Sequence, residues 1–200
     1  MSDRTDMRAE AREERERQIA EAAYSLLAEK GFGGVSMLAV AKRAKASNET
    51  LYRWYGDKPG LFRALIDRNA ARVADQLEQA ITEGQGDLVA LGCALLEMLL
   101  SPQAIALNRA AASDASDSLG IVLAESGRGR VFPLIAALFQ QRLGEGTAPA
   151  TADKSAALWV DLLVGDWQIR CATGAMARPD TAARKARAER AATLIDRLPL

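Results

Sequence analysis

Asn48, Glu49 and Arg53 are the residues of this chain whose types and spacing best fit a chemical task. In the major groove of DNA an Asn pairs with adenine, a Glu accepts from cytosine N4 and an Arg grips guanine, so together they make a base-reading set. Thr50 joins them on the side opposite Leu51 and Tyr55, which stand four residues apart and anchor the inner face of a helix. Tyr52, Trp54 and Lys58 flank the set with side chains suited to holding phosphates. For Trp54 contact with the DNA backbone is expected in preference to packing within the head.

Two short helices joined by a tight turn must position these groups. Ser36 is placed to cap the first by accepting from a free amide of its opening turn, and Met37, Val40, Ala41 and Ala44 then recur at helical spacing. After a break at Lys45-Ala46, Ser47 caps the second. The candidate DNA-contacting set is therefore Ser36, Ser47, Asn48, Glu49, Thr50, Tyr52, Arg53, Trp54 and Lys58. The whole chain has a formal net charge of zero. Within 36–58, however, Lys42, Arg43, Lys45, Arg53 and Lys58 stand against only Glu49 and Asp57, a local excess of three positive charges. A basic head on a net acidic remainder is the electrostatic pattern of a nucleic-acid binder with a second task elsewhere.

With Gly31-Phe32, Ser36-Met37, Val40-Ala41, Ala44, Ser47, Leu51-Tyr52, Trp54-Tyr55, Lys58 and Leu61, the segment from 31 to 61 resembles the TetR/AcrR family of bacterial transcriptional repressors, in register throughout. Lys45 stands where that family usually has a turn glycine, Tyr55 replaces the usual Phe, and Ala39 lacks the acid that completes a capping box with Ser36. The resemblance implies a sequence-specific repressor that binds a near-palindromic double-stranded DNA operator as a homodimer and leaves it when a small molecule binds. It further implies that the last two long helices pair with their copies in a four-helix bundle, with Leu158, Leu162, Leu163 and Leu194 at the interface. An activator of the same fold, or a helical ligand-binding or adaptor protein that does not read DNA, are the alternatives.

The rest of the chain fits this frame. Alanine and leucine dominate, strand-like alternation is absent, and the fold class is all-α, an N-terminal helix-turn-helix head followed by a larger helical body. The organisation expected is a charged N-terminal extension at 1–14, a DNA-binding domain at 15–62 and an effector-binding and dimerisation domain at 63–200. No histidine is present, which removes the usual general base and the commonest metal ligand and argues against an enzyme. Cys93 and Cys171 read as buried free thiols, and no cofactor or metal is implied. The longest apolar run, Leu88 to Leu96, falls short of the roughly 20 residues that span a bilayer, so no membrane partner and a cytoplasmic location are expected. Residues 1–16 interleave Arg4, Arg8, Arg12 and Arg15 with acids and read as a solvated helix extension in preference to a minor-groove arm.

Ile19, Ala23, Leu26 and Leu27 mark the first packed helix, closed by Gly31. A long helix starts after Asp57 and runs through Leu77 to the break at 84–86, joining head to body. Asp87 opens an apolar helix to Leu100, and Ser101-Pro102 starts the next. Residues 113–133 suggest a short helix, a bend near Gly127 to Gly129, interruption by Pro133 and a helix to Leu143; 144–150 reads as a loop. Two helices are expected at 156–172 and 179–198, the first apolar around its circumference. Leu95, Met98, Leu99, Phe132, Phe139, Trp159 and Trp167 are the candidate lining of a site for an apolar effector. Trp159 and Trp167 read as core or interface in preference to a ligand box, and Asp161 and Asp166 as rim residues or partners of Arg109 or Arg170 in preference to partners of a cationic ligand.

Overall fold

The computed structural model describes residues 2–84, 86–144 and 148–198, all of them helical or connecting, with no strand among the described residues. Side-chain caps set the helix starts as the residue types dictate. Ser36 Oγ accepts from the Ala39 amide at 3.2 Å and opens α2 (Met37–Arg43). Ser47 Oγ accepts from Thr50 at 3.0 Å and opens α3 (Asn48–Tyr55). Asp57 Oδ1 accepts from Gly60 at 2.7 Å at the start of the 27-residue α4 (Lys58–Gly84). A side chain at Gly60 would place its Cβ 2.0 Å from the Tyr55 carbonyl oxygen, so glycine lets α4 begin directly beneath α3. Upstream, α1 (Ser2–Gly34) leaves helical geometry at Gly31 (φ 66°), the position expected to close it.

In the body, Asp87 caps α5 (Leu88–Leu99) through Val89 at 2.8 Å. Ser101 caps α6 (Pro102–Ala112) through Ala104 at 3.2 Å, with Pro102 in the first turn. After α6 come α7 (Ser118–Val122), α8 (Gly129–Leu143), α9 (Pro149–Val164), α10 (Trp167–Thr173) and α11 (Thr181–Arg197). Of the connections expected at 84–86 and 144–150, residues 85 and 145–147 lie outside the described residues; α9 itself begins at Pro149.

Two expectations are corrected. No loop separates α7 from α8: residues Leu123–Arg128 wind as a π-helix, Gly129 stays right-handed (φ −60°, ψ −29°), and its amide donates to Ala124 five residues back. Pro133 then falls in the second turn of α8, near the change of winding, where the hydrogen-bond ladder is already being re-registered and a missing N–H is tolerated. The single helix expected at 156–172 is two. Gly165 breaks it with a φ of 50° and ψ of −129°, and a Cβ there would lie 2.3 Å from an Arg187 guanidinium nitrogen. Arg187 Nε donates to the Leu163 carbonyl at 3.0 Å, satisfying an acceptor that the helix end leaves open.

Two apolar cores result. Ile19, Leu26, Val40, Leu51, Leu61, Phe62, Leu65 and Ile66 form the head core, and Leu107, Ala110 and Leu119 from α6 and α7 complete it. Val73, Leu77, Leu95, Phe139, Trp159, Leu163 and Ile195 belong to the body core. The boundary expected at 62/63 therefore falls inside α4; α6 contributes to both cores, and α7 packs in the head core. Glu97 on α5 pairs with Arg178 and with the buried Arg184, tying α5 to α11. Among the described residues no single helix is long and apolar enough to cross a membrane; α5 and α6 have the combined length but meet at 55° and contribute to the cores.

Candidate nucleic-acid interface

The exposed side of α3 carries Asn48, Glu49, Tyr52 and Arg53, with Tyr52 at 50% of its free exposure. Leu51 is wholly buried beneath them and locks the helix to the head. Among the described residues none of the four has a hydrogen bond or ion pair to another side chain, so all are open to an external partner. Asn48 with Tyr52, and Glu49 with Arg53, each lie one helical turn apart and form two parallel rows. Ser36 and Ser47 act as caps, and the Thr50 hydroxyl lies 2.8 Å from that of Ser47. These three shape the interface through the backbone.

Two residues expected to hold phosphates are engaged with the protein. Trp54 is half-buried, edge-on to Tyr55 with ring centroids 6.3 Å apart, and the Arg12 guanidinium sits 5.4 Å from its ring centroid. Lys58 directs its ammonium at Phe32, 4.1 Å from the ring centroid. Burial pulls its pKa down while Asp114 opposes that shift. Arg43, too, is held internally by Glu29 and Ser25 on α1, and Glu29 is lowered in pKa chiefly by its hydrogen bond from Arg43. Lys42, Lys45 and Arg53 therefore carry the outward positive charge of this segment.

Sequence reasoning missed Arg15. Its Nη1 donates to the Lys45 carbonyl at 3.2 Å and lies 3.5 Å from the Ala44 carbonyl, reaching the turn between α2 and α3 from α1. A polar stretch offers no periodic signal that one arginine in it is an anchor. Lys45 itself has a φ of 50°, so the turn keeps the left-handed geometry that glycine usually supplies, at a cost on the order of 1 kcal/mol.

The body contains a cavity of about 550 Å³. Ile66, Asn69, Ala70 and Val73 of α4, Ala104 and Asn108 of α6, and Gly127 and Arg128 of the π-helical stretch contribute to its wall. Of the seven residues expected there, Leu95, Leu99 and Phe132 line it. The other four do not. Phe139 and Trp159 are core residues packed on each other with centroids 5.9 Å apart, because the facing helices α8 and α9 leave that space closed. Met98 turns to an outer cleft beside α1 and α4. Trp167, placed beyond the Gly165 break, lies under the Arg187 guanidinium at 5.2 Å. Asp161 is at the cavity wall, and Asp166 pairs with Arg170 at 3.6 Å. Arg109 pairs with neither: it donates to the Cys171 and Ala172 carbonyls and so caps α10.

Of the residues expected at a dimer interface, Leu158 and Leu194 keep 36% and 37% of their exposure on the outer side of α9 and α11. Leu162 is half-buried. Leu163 is corrected: it is 0% exposed and belongs to the protomer core, because it faces α5 and α11. Cys171 is buried as expected, whereas Cys93 is only partly so.

A short capped helix, a Schellman-type turn and a second helix with an open polar face, set on a helical body with a half-open cavity, form the helix-turn-helix architecture of a transcriptional regulator. Residues 19–65 match the family described as bacterial regulatory proteins, tetR family, and residues 86–197 match the AefR-like transcriptional repressor C-terminal domain. The chain belongs to the TetR family of transcriptional regulators. It is 32% identical over 83 residues to the uncharacterized HTH-type transcriptional regulator YvkB of Bacillus subtilis, a stretch covering 42% of this chain and 44% of that protein. The chain spans less than half the length of the curated relatives it matches. A TetR-family regulator from Mesorhizobium loti shares the fold with a TM-score of 0.79 at 24% identity, over 91% of this chain and 95% of that one. A TetR regulator from Agrobacterium tumefaciens gives a TM-score of 0.69 at 27% identity, over 90% and 92%.

Proposed function

We propose that this regulator acts as a homodimeric repressor of a near-palindromic operator, released when a small, largely apolar molecule enters the body cavity. One observation carries the reading: Ile66 on α4 lies in both the head core and the cavity wall. On α6, Ala104 and Asn108 face the cavity while Leu107 and Ala110 pack in the head core. A ligand that spreads these two helices therefore moves the surface on which the head rests. Two heads must stand roughly 34–36 Å apart to enter successive major grooves, so a change in their relation weakens binding. The ligand acts only by its unequal affinity for the two arrangements.

In this reading Asn48, Glu49 and Arg53 read bases, Tyr52, Lys42 and Lys45 hold phosphates, and the caps Ser36 and Ser47 fix the frame. Leu95, Leu99, Phe132 and Val131 supply apolar contact to the ligand, and Asn69, Asn108 and Gln168 orient it. The test is a titration from both sides. A compound found by thermal shift should lower affinity for the selected operator by the factor by which operator lowers its own affinity, about 5- to 150-fold. Compounds that stabilise the body while operator affinity stays constant would show that the cavity is not a sensor.

A further inference from the structure

We infer that Arg15 is a positioning residue for DNA reading: by holding the turn between α2 and α3 it sets the angle at which Asn48, Glu49 and Arg53 are presented. The inference rests on the DNA-reading role proposed above for α3. The turn is a Schellman cap, in which the Ala46 amide donates to the Ala41 carbonyl at 3.0 Å and the Lys45 amide to that of Lys42 at 3.4 Å. Its left-handed position is Lys45, at φ 50°. A residue with a Cβ is strained there, and such strain persists only where the surroundings hold it in place.

Arg15 is the holder the structure supplies. Its guanidinium reaches the carbonyls of Lys45 and Ala44, at 3.2 and 3.5 Å, from thirty and twenty-nine residues upstream. Those two carbonyls lie at the end of α2, where the helix leaves acceptors unpaired and the partial charge is negative, so a half-buried cation is favoured twice over. Arg12, one turn earlier on α1, covers Trp54 near the far end of α3. α1 thus grips the reading helix at both ends, and Arg15 grips the strained one. In a chain with glycine at 45 the turn needs no such support, so Arg15 and the absence of that glycine are two halves of one device.

The experiment uses the full chain and the tightest duplex that the wild type selects from random DNA. Kd is measured across a salt series for wild type, Arg15→Gln, Arg15→Lys, Lys45→Gly and the Arg15→Gln/Lys45→Gly double variant, with amide exchange at Lys45 and Ala46 followed in the free proteins. Arg15→Gln should weaken binding to the selected duplex about tenfold, the scale of one left-handed side chain. Its salt slope should stay as in the wild type and its two amides should exchange faster, whereas in the Lys45→Gly background the same change at Arg15 should alter neither affinity nor protection. Arg15→Lys, which keeps the charge but not the fork of donors, should fall between. An equal loss from Arg15→Gln in the wild-type and Lys45→Gly backgrounds, with the salt slope reduced by about one each time, would make Arg15 a direct phosphate contact and overturn the inference. Unchanged exchange in Arg15→Gln would overturn it as well, whatever happens to DNA binding. Failure of the wild type to select any sequence would instead sink the DNA-reading proposal itself.

Discussion

Arg53 is the outward-facing cation on the reading helix, and Arg43, ten residues earlier, shows why formal charge is a poor guide to which cations are available. Arg43 is bound to Glu29 within the protomer, and Lys58 lies against Phe32, so neither is free to meet a phosphate without giving up a contact. Arg53 carries no such contact. Replacing it with Ala should leave the thermal midpoint of the free protein unchanged and cost roughly 1–3 kcal/mol against the selected duplex, with relaxed preference at one base position. Equal affinity of wild type and Arg53→Ala across all selected sequences would remove Arg53 from the reading set.

Among the connecting elements, the turn before α7 is tied together by one carboxylate. Asp114 accepts from the Leu119 amide at 2.9 Å, from the Ser116 amide and hydroxyl, and from Ser118. The Leu119 amide bond is the chief cause that lowers its pKa to about 2, with Ser116 and Ser118 adding and burial opposing. The ionised form is the one bonded, so the contribution is present above the unfolded value of about 4 and is lost as pH falls towards about 2. Because Leu119 is fully buried in the head core, this turn fixes α7 against the head. Asp114→Asn should lower the thermal midpoint at neutral pH, and its difference from wild type should vanish between pH 4 and pH 2. A difference that stays constant across that window would show that the carboxylate charge plays no part.

For the molecule as a whole, the outer face of α9 and α11 decides whether two heads act together. Leu158 and Leu194 keep 36% and 37% of their exposure there, large apolar groups only partly covered by the described residues of their own chain. In the dimer reading they are buried against a second copy. Leu194→Asp should then place an unpaired charge in that contact and give a folded monomer with weakened operator binding. Leu163→Ala should act differently, lowering stability by about 2–5 kcal/mol, because its side chain fills the protomer core. Wild type that sediments as a monomer at micromolar concentration would remove the dimer reading.

Local rules were enough for much of this. Caps depend on a side chain and amides a few residues away, so Ser36, Ser47, Asp87 and Ser101 were legible as helix starts, and the period of Met37, Val40 and Leu51 showed the inner face of the head. Tertiary contact decided the rest. Gly165 breaks a continuous apolar pattern because Arg187, from a later helix, occupies the space a side chain would need. Whether an apolar residue lines a cavity or fills a core depends on what faces it, which is why Phe132 and Phe139, two turns apart on α8, have different surroundings. Arg15 and Lys45 are thirty residues apart in the chain and meet only in the folded head. Helical periodicity reports which side of an element is buried; the partner across the gap is set by packing between distant segments, and that information is carried by the tertiary structure alone.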